Sequence, residues 1–308
     1  MFDLNKPLVQ WTLLIFLAFV WGSSFILMKR GLVSFDNTQV ASLRILISFI
    51  FLSPIIIKNF KKIERSQWSP IFIAGLLGSG IPAFLFTKAQ TYISSSLSGM
   101  LNSLVPLFTV IIGLLFFGLK LRWLKIIGII TGLIGAIGLL SVGGGFNLNN
   151  DDLTYGVYVI LATICYAVNI NFIKIKLAEV NSINITSFGF LLIGPLSGIY
   201  LFTTDFITIL QTDPDAWVNF FYIVLLAVFG TSIAVILFNM IIKKVSPVFA
   251  SSVTYIIPVF AIFWGFVDGE NILLMHLICI AVILTGVYIV NKDNNLEKKE
   301  ALKMQNKN

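Results

Sequence analysis

Apolar residues occur along this chain in blocks of about 20, the length a helix needs to cross the hydrocarbon core of a bilayer, with short polar stretches between them. Ten blocks meet that standard: Trp11–Met28, Thr38–Ile57, Ile71–Gln90, Ser95–Phe117, Trp123–Val142, Leu153–Ile173, Ile185–Thr204, Trp217–Ile242, Pro247–Val267 and Ile272–Asn291. The pattern predicts an all-α polytopic membrane protein of ten transmembrane helices. Two stretches share a finer pattern, since Ser95–Gly113 and Pro247–Gly265 both open on small and hydroxyl residues and carry a proline near the middle, Pro106 or Pro258. Proline removes a backbone donor and crowds the carbonyl one turn back, so a membrane helix tolerates it where neighbouring groups satisfy that carbonyl. Both are therefore predicted to be interior helices that bend at Pro106 and Pro258.

The chain also repeats itself. A shift of 152 aligns Ile71–Gly113 with Ile223–Gly265 without a gap, with 9 of 43 positions identical, among them Gly78 with Gly230, Phe86 with Phe238, Ser94 with Ser246, Pro106 with Pro258 and Gly113 with Gly265. A shift of 145 sets Trp21, Ser24 and Lys29 over Tyr166, Asn169 and Lys174, and one of 151 sets Gly135 over Gly286. The expected organisation is a first repeat over 1–142, a linker over 143–152 that holds the run Gly143–Gly145, a second repeat over 153–291 and a polar tail over 292–308 without fixed structure. Five helices is an odd number, so the second repeat enters the membrane from the opposite side. Transporters use such inverted repeats to present one site to each face in turn.

Composition agrees with the membrane assignment: 57% of residues are hydrophobic, 11% are charged, and mean hydropathy is +0.95. The net charge of +7 comes from short basic groups between apolar blocks, a pattern that sets membrane orientation and does not form a nucleic-acid face. With the N-terminus placed inside, 17 lysines and arginines fall in inside segments and Lys29, Arg30 and Lys88 outside, where the loops are acidic. Both termini are expected in the cytoplasm. Cys165 and Cys279 lie within apolar blocks and are expected to be structural.

Polar groups inside lipid are costly, roughly 2.5 to 3.5 kcal/mol for a central arginine, so they face a cavity or a partner. Ser95, Ser98 and Asn102 share one face of the fourth helix, as cavity lining or as small-residue packing. Their repeat counterparts include Thr254 and Tyr255, and Tyr255 is the candidate there. Trp21 with Ser24, and Tyr166 with Asn169, each set an aromatic one turn before a small polar group, suited to a mixed apolar and polar ligand or to core packing. Asn171 and Asn239 read as helix glue. Arg44 could attract an anionic group or snorkel outward, and Lys88 reads as snorkelling. The candidate substrate-binding set is thus Trp21, Ser24, Arg44, Ser98, Asn102, Tyr166, Asn169 and Tyr255.

Several of these features together carry a family resemblance: the run WGSSFILMK over Trp21–Lys29, Arg44, the two proline-centred helices, the Gly269–Glu270 pair and the glycine-rich fifth helix. Their order and spacing resemble the EamA-type branch of the drug/metabolite transporter superfamily, as two tandem halves covering nearly the whole chain. The resemblance implies ten helices around a central cavity and the export or uptake of small metabolites such as amino acids, with export the expected direction. One departure stands at Leu119–Lys120, where the family pattern would carry an acidic residue, and Glu270 is accordingly read as an outer-loop cap.

No span carries Asp or Glu near its middle, and the sole histidine, His276, lies at the start of the tenth. Facilitated diffusion or exchange therefore fits at least as well as proton coupling. The sequence holds no nucleotide-cradling loop, nucleophile elbow or metal-ligand cluster, so no cofactor or metal is expected. The expected function is secondary transport of a small metabolite by a monomer or homodimer in the plasma membrane of a bacterium. The alternatives are a membrane-embedded enzyme built on His276, Asp268 and Glu270, or a structural membrane subunit.

Overall fold

The computed structural model describes residues 7–116, 123–142, 151–244, 250 and 253–305. The stretch at Leu119–Lys120 and the glycine run at 143–145 lie outside them. The described residues form a bundle of rods: α1 Pro7–Gly31, α2 Asn37–Asn59, α3 Arg65–Gln90, α4 Ser95–Phe116, α5 Trp123–Ser141, α6 Asp151–Lys176, α7 Ser182–Leu201, α8 Ala216–Lys244, α9 Val253–Val267 and α10 Leu274–Gln305. Among the described residues α1 to α8 are long and apolar enough to cross a membrane, while α9 and the apolar part of α10, Leu274–Ile289, are shorter. A short helix, Phe206–Thr212, joins α7 to α8. The polar tail does not depart from α10, which runs on to Gln305; its Leu, Glu, Lys, Ala and Met residues are good helix formers and extend a helix already nucleated by the apolar stretch.

Local chemistry sets the helix ends. Asp36 caps α2 by accepting from Thr38 N at 2.6 Å and Gln39 N at 2.8 Å, while the Gln39 side chain accepts from Asp36 N at 3.0 Å, a complete capping box. Ser94 caps α4 and Asn181 caps α7. At the far end of α9, Gly269 adopts φ +80° and closes a Schellman turn, with Glu270 N donating to Gly265 O at 2.9 Å and Gly269 N to Phe266 O at 3.1 Å.

Among the pairs in which the rods pack are α1 with α9, α6 with α4, α3 with α6, α1 with α8, α2 with α7, α5 with α10, α4 with α9, α3 with α7, and α8 with α2. Small residues allow the close pairs. A Cβ on Gly286 would stand 2.5 Å from the Gly128 carbonyl, and one on Gly99 would stand 2.3 Å from the Ala261 Cβ, so these backbones approach as only glycine permits. Large apolar side chains cover the outside, among them Phe16 and Phe19 on α1, Ile130 and Ile134 on α5, Leu196 and Ile199 on α7, and Phe263 and Phe266 on α9. In a membrane that surface meets lipid tails.

Candidate functional site

Two rods are broken at their centres, and both breaks face the same space. In α3 the α-helix gives way to a π-helical segment at Leu76–Gly80, and in α8 to another at Leu226–Ile233. Such widened turns leave carbonyls without their usual donors. In α8 nearby hydroxyls supply them: Thr231 Oγ1 donates to Leu226 O at 3.1 Å, Ser232 Oγ to Ala227 O at 3.0 Å, and Ser48 Oγ from α2 to the same Ala227 O at 3.1 Å. The Gly-Ser-Gly run at 78–80 and the Gly-Thr-Ser run at 230–232 fall in these segments, which hydrophobic length alone did not reveal.

The prolines of α4 and α9 differ in their surroundings, with a 3-10 turn beside Pro106 and an uninterrupted α-helix through Pro258. Pro106 cannot bond back to Asn102, and a 3-10 turn over Asn102–Leu104 precedes it, with Val105 N bonded to Asn102 O. Asn102 therefore sits at the break. Pro258 lies within α9, and Thr254 occupies the corresponding position four residues before it.

These features converge on one central cavity of about 90 Å³, several waters' worth of space. It is lined by Trp21, Ser24, Phe25 and Met28 of α1, Arg44 of α2, Gly78 and Phe86 of α3, Asn102 and Val105 of α4, Tyr166, Asn169 and Ile170 of α6, Gly230, Val235, Phe238 and Asn239 of α8, and Thr254 of α9. Six of the eight substrate-binding candidates are brought together here. Ser98 is not among them: it is fully buried and its Oγ donates to Ser94 O at 3.1 Å, next to the Gly99–Ala261 crossing. Tyr255 packs against the core instead, because one residue along a helix is about 100° around it and Thr254 takes the inward direction. The lining residues Phe86, Phe238, Gly78 and Gly230 were visible in the sequence as repeat matches, without an assigned role.

Polar groups in the cavity are held unequally. Trp21 Nε1 donates to Gly230 O at 2.9 Å, and its ring meets Phe238 edge-on at 4.9 Å. The Arg44 guanidinium is buried; its Nε donates to Thr231 Oγ1 at 2.6 Å, and it interacts with the Tyr166 phenol. Among the described residues no carboxylate pairs with it. Asn102 Oδ1 and Asn169 Oδ1 are buried without a hydrogen-bond partner. Asn239 Nδ2 donates to Thr186 Oγ1 at 3.0 Å, tying α8 to α7, and Asn171 Nδ2 donates to Thr109 O at 3.1 Å, tying α6 to α4. Asn239 thus both ties helices and lines the cavity, whereas Asn171 serves the packing alone.

A second polar cluster closes one end of the bundle. Glu270 Oε1 accepts from Ser95 N at 2.9 Å and Ser95 Oγ at 2.8 Å, while Oε2 accepts from Ser96 N at 3.0 Å and Ser96 Oγ at 2.6 Å. The carboxylate caps the first turn of α4, where unpaired N–H groups and the helix dipole favour an anion. Lys29 Nζ from α1 reaches Glu270 Oε1 at 2.9 Å and Asp268 Oδ2 at 2.6 Å, and Arg30 also pairs with Asp268. Burial pushes the Glu270 carboxyl up, but hydrogen bonds from Lys29, Ser96 and Ser95 outweigh it and hold the group down at about 2, against an ordinary 4.5. Ser95 thus belongs to this clasp and not to the cavity. His276 Nδ1 accepts from Leu273 N at 3.1 Å at the start of α10, and both neighbouring carboxylates are engaged by the clasp.

Comparison with known proteins agrees with this architecture. The EamA-like transporter family matches residues 10–141 and again residues 154–292. An uncharacterized transporter of Archaeoglobus fulgidus is 26% identical over 283 residues, covering 91% of this chain and 98% of that protein. The uncharacterized inner membrane transporter YedA of Escherichia coli K12 is 28% identical over 281 residues, covering 88% and 87% of the two chains. A crystal structure matches the fold with a TM-score of 0.61 at 18% identity, over 90% of this chain and 95% of the other. With both halves matched, the chain belongs to the EamA-like transporter family of the drug/metabolite transporter superfamily.

Proposed function

We propose that this transporter moves small organic metabolites outward across the plasma membrane by alternating access around the central cavity. One observation carries the reading. Under the sequence repeat, six pairs of related residues line the cavity together: Trp21 with Tyr166, Ser24 with Asn169, Phe25 with Ile170, Gly78 with Gly230, Phe86 with Phe238, and Asn102 with Thr254. They are 12 of its 17 lining residues. A site assembled from matching parts of two halves can be opened toward either face by the same motion, performed by one half or the other.

The helix pairs support an inverted repeat of five helices each. Exchanging each rod for the one five further on turns α1 with α9 into α6 with α4, and α3 with α7 into α8 with α2, while α2 with α7, α5 with α10 and α4 with α9 map onto themselves. In this reading α9 and α10 complete a set of ten membrane helices. Pro106 and Pro258 supply the bending points, and the Glu270 clasp is the outer seal, joining the second half's α9–α10 connection to α1 and α4 of the first. The cytoplasmic placement of both termini follows the lysine distribution, and the outward direction follows the family resemblance.

Purified protein in proteoliposomes, assayed for counterflow of a library of labelled amino acids, organic acids, sugar derivatives and cations, tests this. The expected result is saturable flux of at least one class, reduced about tenfold or more by Asn102→Ala. Absence of flux across the whole library would overturn the proposal.

A further inference from the structure

The cavity is charge-asymmetric, and the asymmetry points to the class of ligand. Twelve lining residues come as repeat pairs, but Arg44 does not, and among the described residues no Asp or Glu lines the space. Arg44 therefore gives the site one fixed positive charge that the described residues do not neutralise. Thr231 and Tyr166 orient the guanidinium without cancelling its charge. A buried cation left in that state is costly, and a ligand anion that forms charge-assisted hydrogen bonds with it recovers much of the cost.

The remaining polar lining adds a second requirement. Asn102 Oδ1 and Asn169 Oδ1 are acceptors with no donor among the described residues, so a ligand that brings an O–H or N–H donor is favoured, and an ammonium donor is set back by the positive charge of Arg44 in the same space. The rest of the space is bounded by aromatic and aliphatic side chains, among them Phe25, Phe86 and Phe238. Resting on the transport reading above, we infer that this cavity selects a small organic monoanion: a carboxylate on Arg44, a hydroxyl donating to the asparagine carbonyls, and an apolar or aromatic body between them. A zwitterionic amino acid carries an ammonium for which the cavity offers no counter-charge. An amine carries only that ammonium. Both bind less well than the hydroxy acid of the same skeleton.

One matched series tests this: 3-phenyllactate, phenylalanine, phenethylamine and 3-phenyl-1-propanol, compared as ligands of the purified full chain by tryptophan fluorescence and as competitors in proteoliposomes. The inference expects 3-phenyllactate to bind at least about tenfold more tightly than each of the other three, the scale of a hydrogen bond to a charged group. Arg44→Gln is expected to bring 3-phenyllactate to within about threefold of the alcohol, while Arg44→Lys keeps part of the preference. Should Arg44→Gln not fold, the wild-type ranking decides alone. Tighter binding of phenylalanine, phenethylamine or the alcohol, or no binding by any of the four, overturns the inference. The broader transport reading is judged separately, by flux across the full library.

Discussion

Gly78 on α3 lies so close to Asn169 on α6 that a Cβ added to it would stand 2.3 Å from Asn169 Nδ2. The repeat-related contact is equally tight, since a Cβ on Gly230 would stand 2.5 Å from Ser24 Oγ. Each π-helical segment is thus pressed against the polar tip of a side chain on the facing helix, which must turn aside for anything larger than glycine. Gly78→Ala and Gly230→Ala each force that side-chain tip to turn aside, a cost offset in part by the better helix propensity of alanine, so the net loss is expected to stay within about 1 kcal/mol. Thermal melting in detergent checks the loss. Adding Asn169→Ala to Gly78→Ala, or Ser24→Ala to Gly230→Ala, should recover most of it.

The Glu270 clasp predicts a defined pH dependence. Its carboxyl titrates near 2 in the folded chain against 4.5 ordinarily, so the folded state holds the charged form more strongly than the unfolded state does. Its contribution is therefore fully present above pH 4.5 and is lost as pH falls from 4.5 through 2. Wild-type protein should lose melting temperature across that window relative to Glu270→Gln, which lacks the titrating charge. At pH 7 the same variant should melt lower than wild type by several degrees, having weakened the interactions with Lys29 and the first turn of α4.

Proline 106 should matter for rate more than for stability. Pro106→Ala restores an N–H able to bond Asn102 O, which favours a regular turn in place of the 3-10 segment. Melting temperature is expected to hold or rise, and the turnover rate in proteoliposomes to fall about tenfold.

Two polar positions of α4, Ser98 and Asn102, should separate cleanly. Ser98 back-bonds to Ser94 O and does not line the cavity, so Ser98→Ala should leave transport within about twofold and stability within about 0.5 kcal/mol. Asn102→Ala should lower transport about tenfold with little change in melting. Flux and melting measured on both variants decide the matter.

Much of the fold was legible because bilayer thickness imposes a length on every apolar block: the ten blocks overlap α1 through α10, of which α1 to α8 are long enough to cross a membrane while α9 and the apolar part of α10 are shorter among the described residues. The repeat was legible through its prolines and glycines, and it located Trp21, Ser24, Asn102, Tyr166 and Asn169 before any coordinates. Tyr255 against Thr254 was not resolved, because choosing between neighbours needs the helix rotation, which Pro258 and the packing of α9 set. The π-helical breaks were hidden as well, since they depend on which hydroxyls reach the freed carbonyls, and those come from α2 as well as α8. Ser95 was assigned to a stripe with Ser98 and Asn102 because spacing shows a shared face, whereas its real partner, Glu270, lies 175 residues away.

Alternating access itself is tested most directly at Asn102, at the centre of the bundle. Asn102→Cys, in a background where Cys165 and Cys279 are replaced by serine, is treated with a membrane-impermeant maleimide in right-side-out and in inside-out vesicles. The account predicts labelling from both faces, slowed in both orientations by a transported substrate. Labelling from one face alone, in every condition, would contradict it.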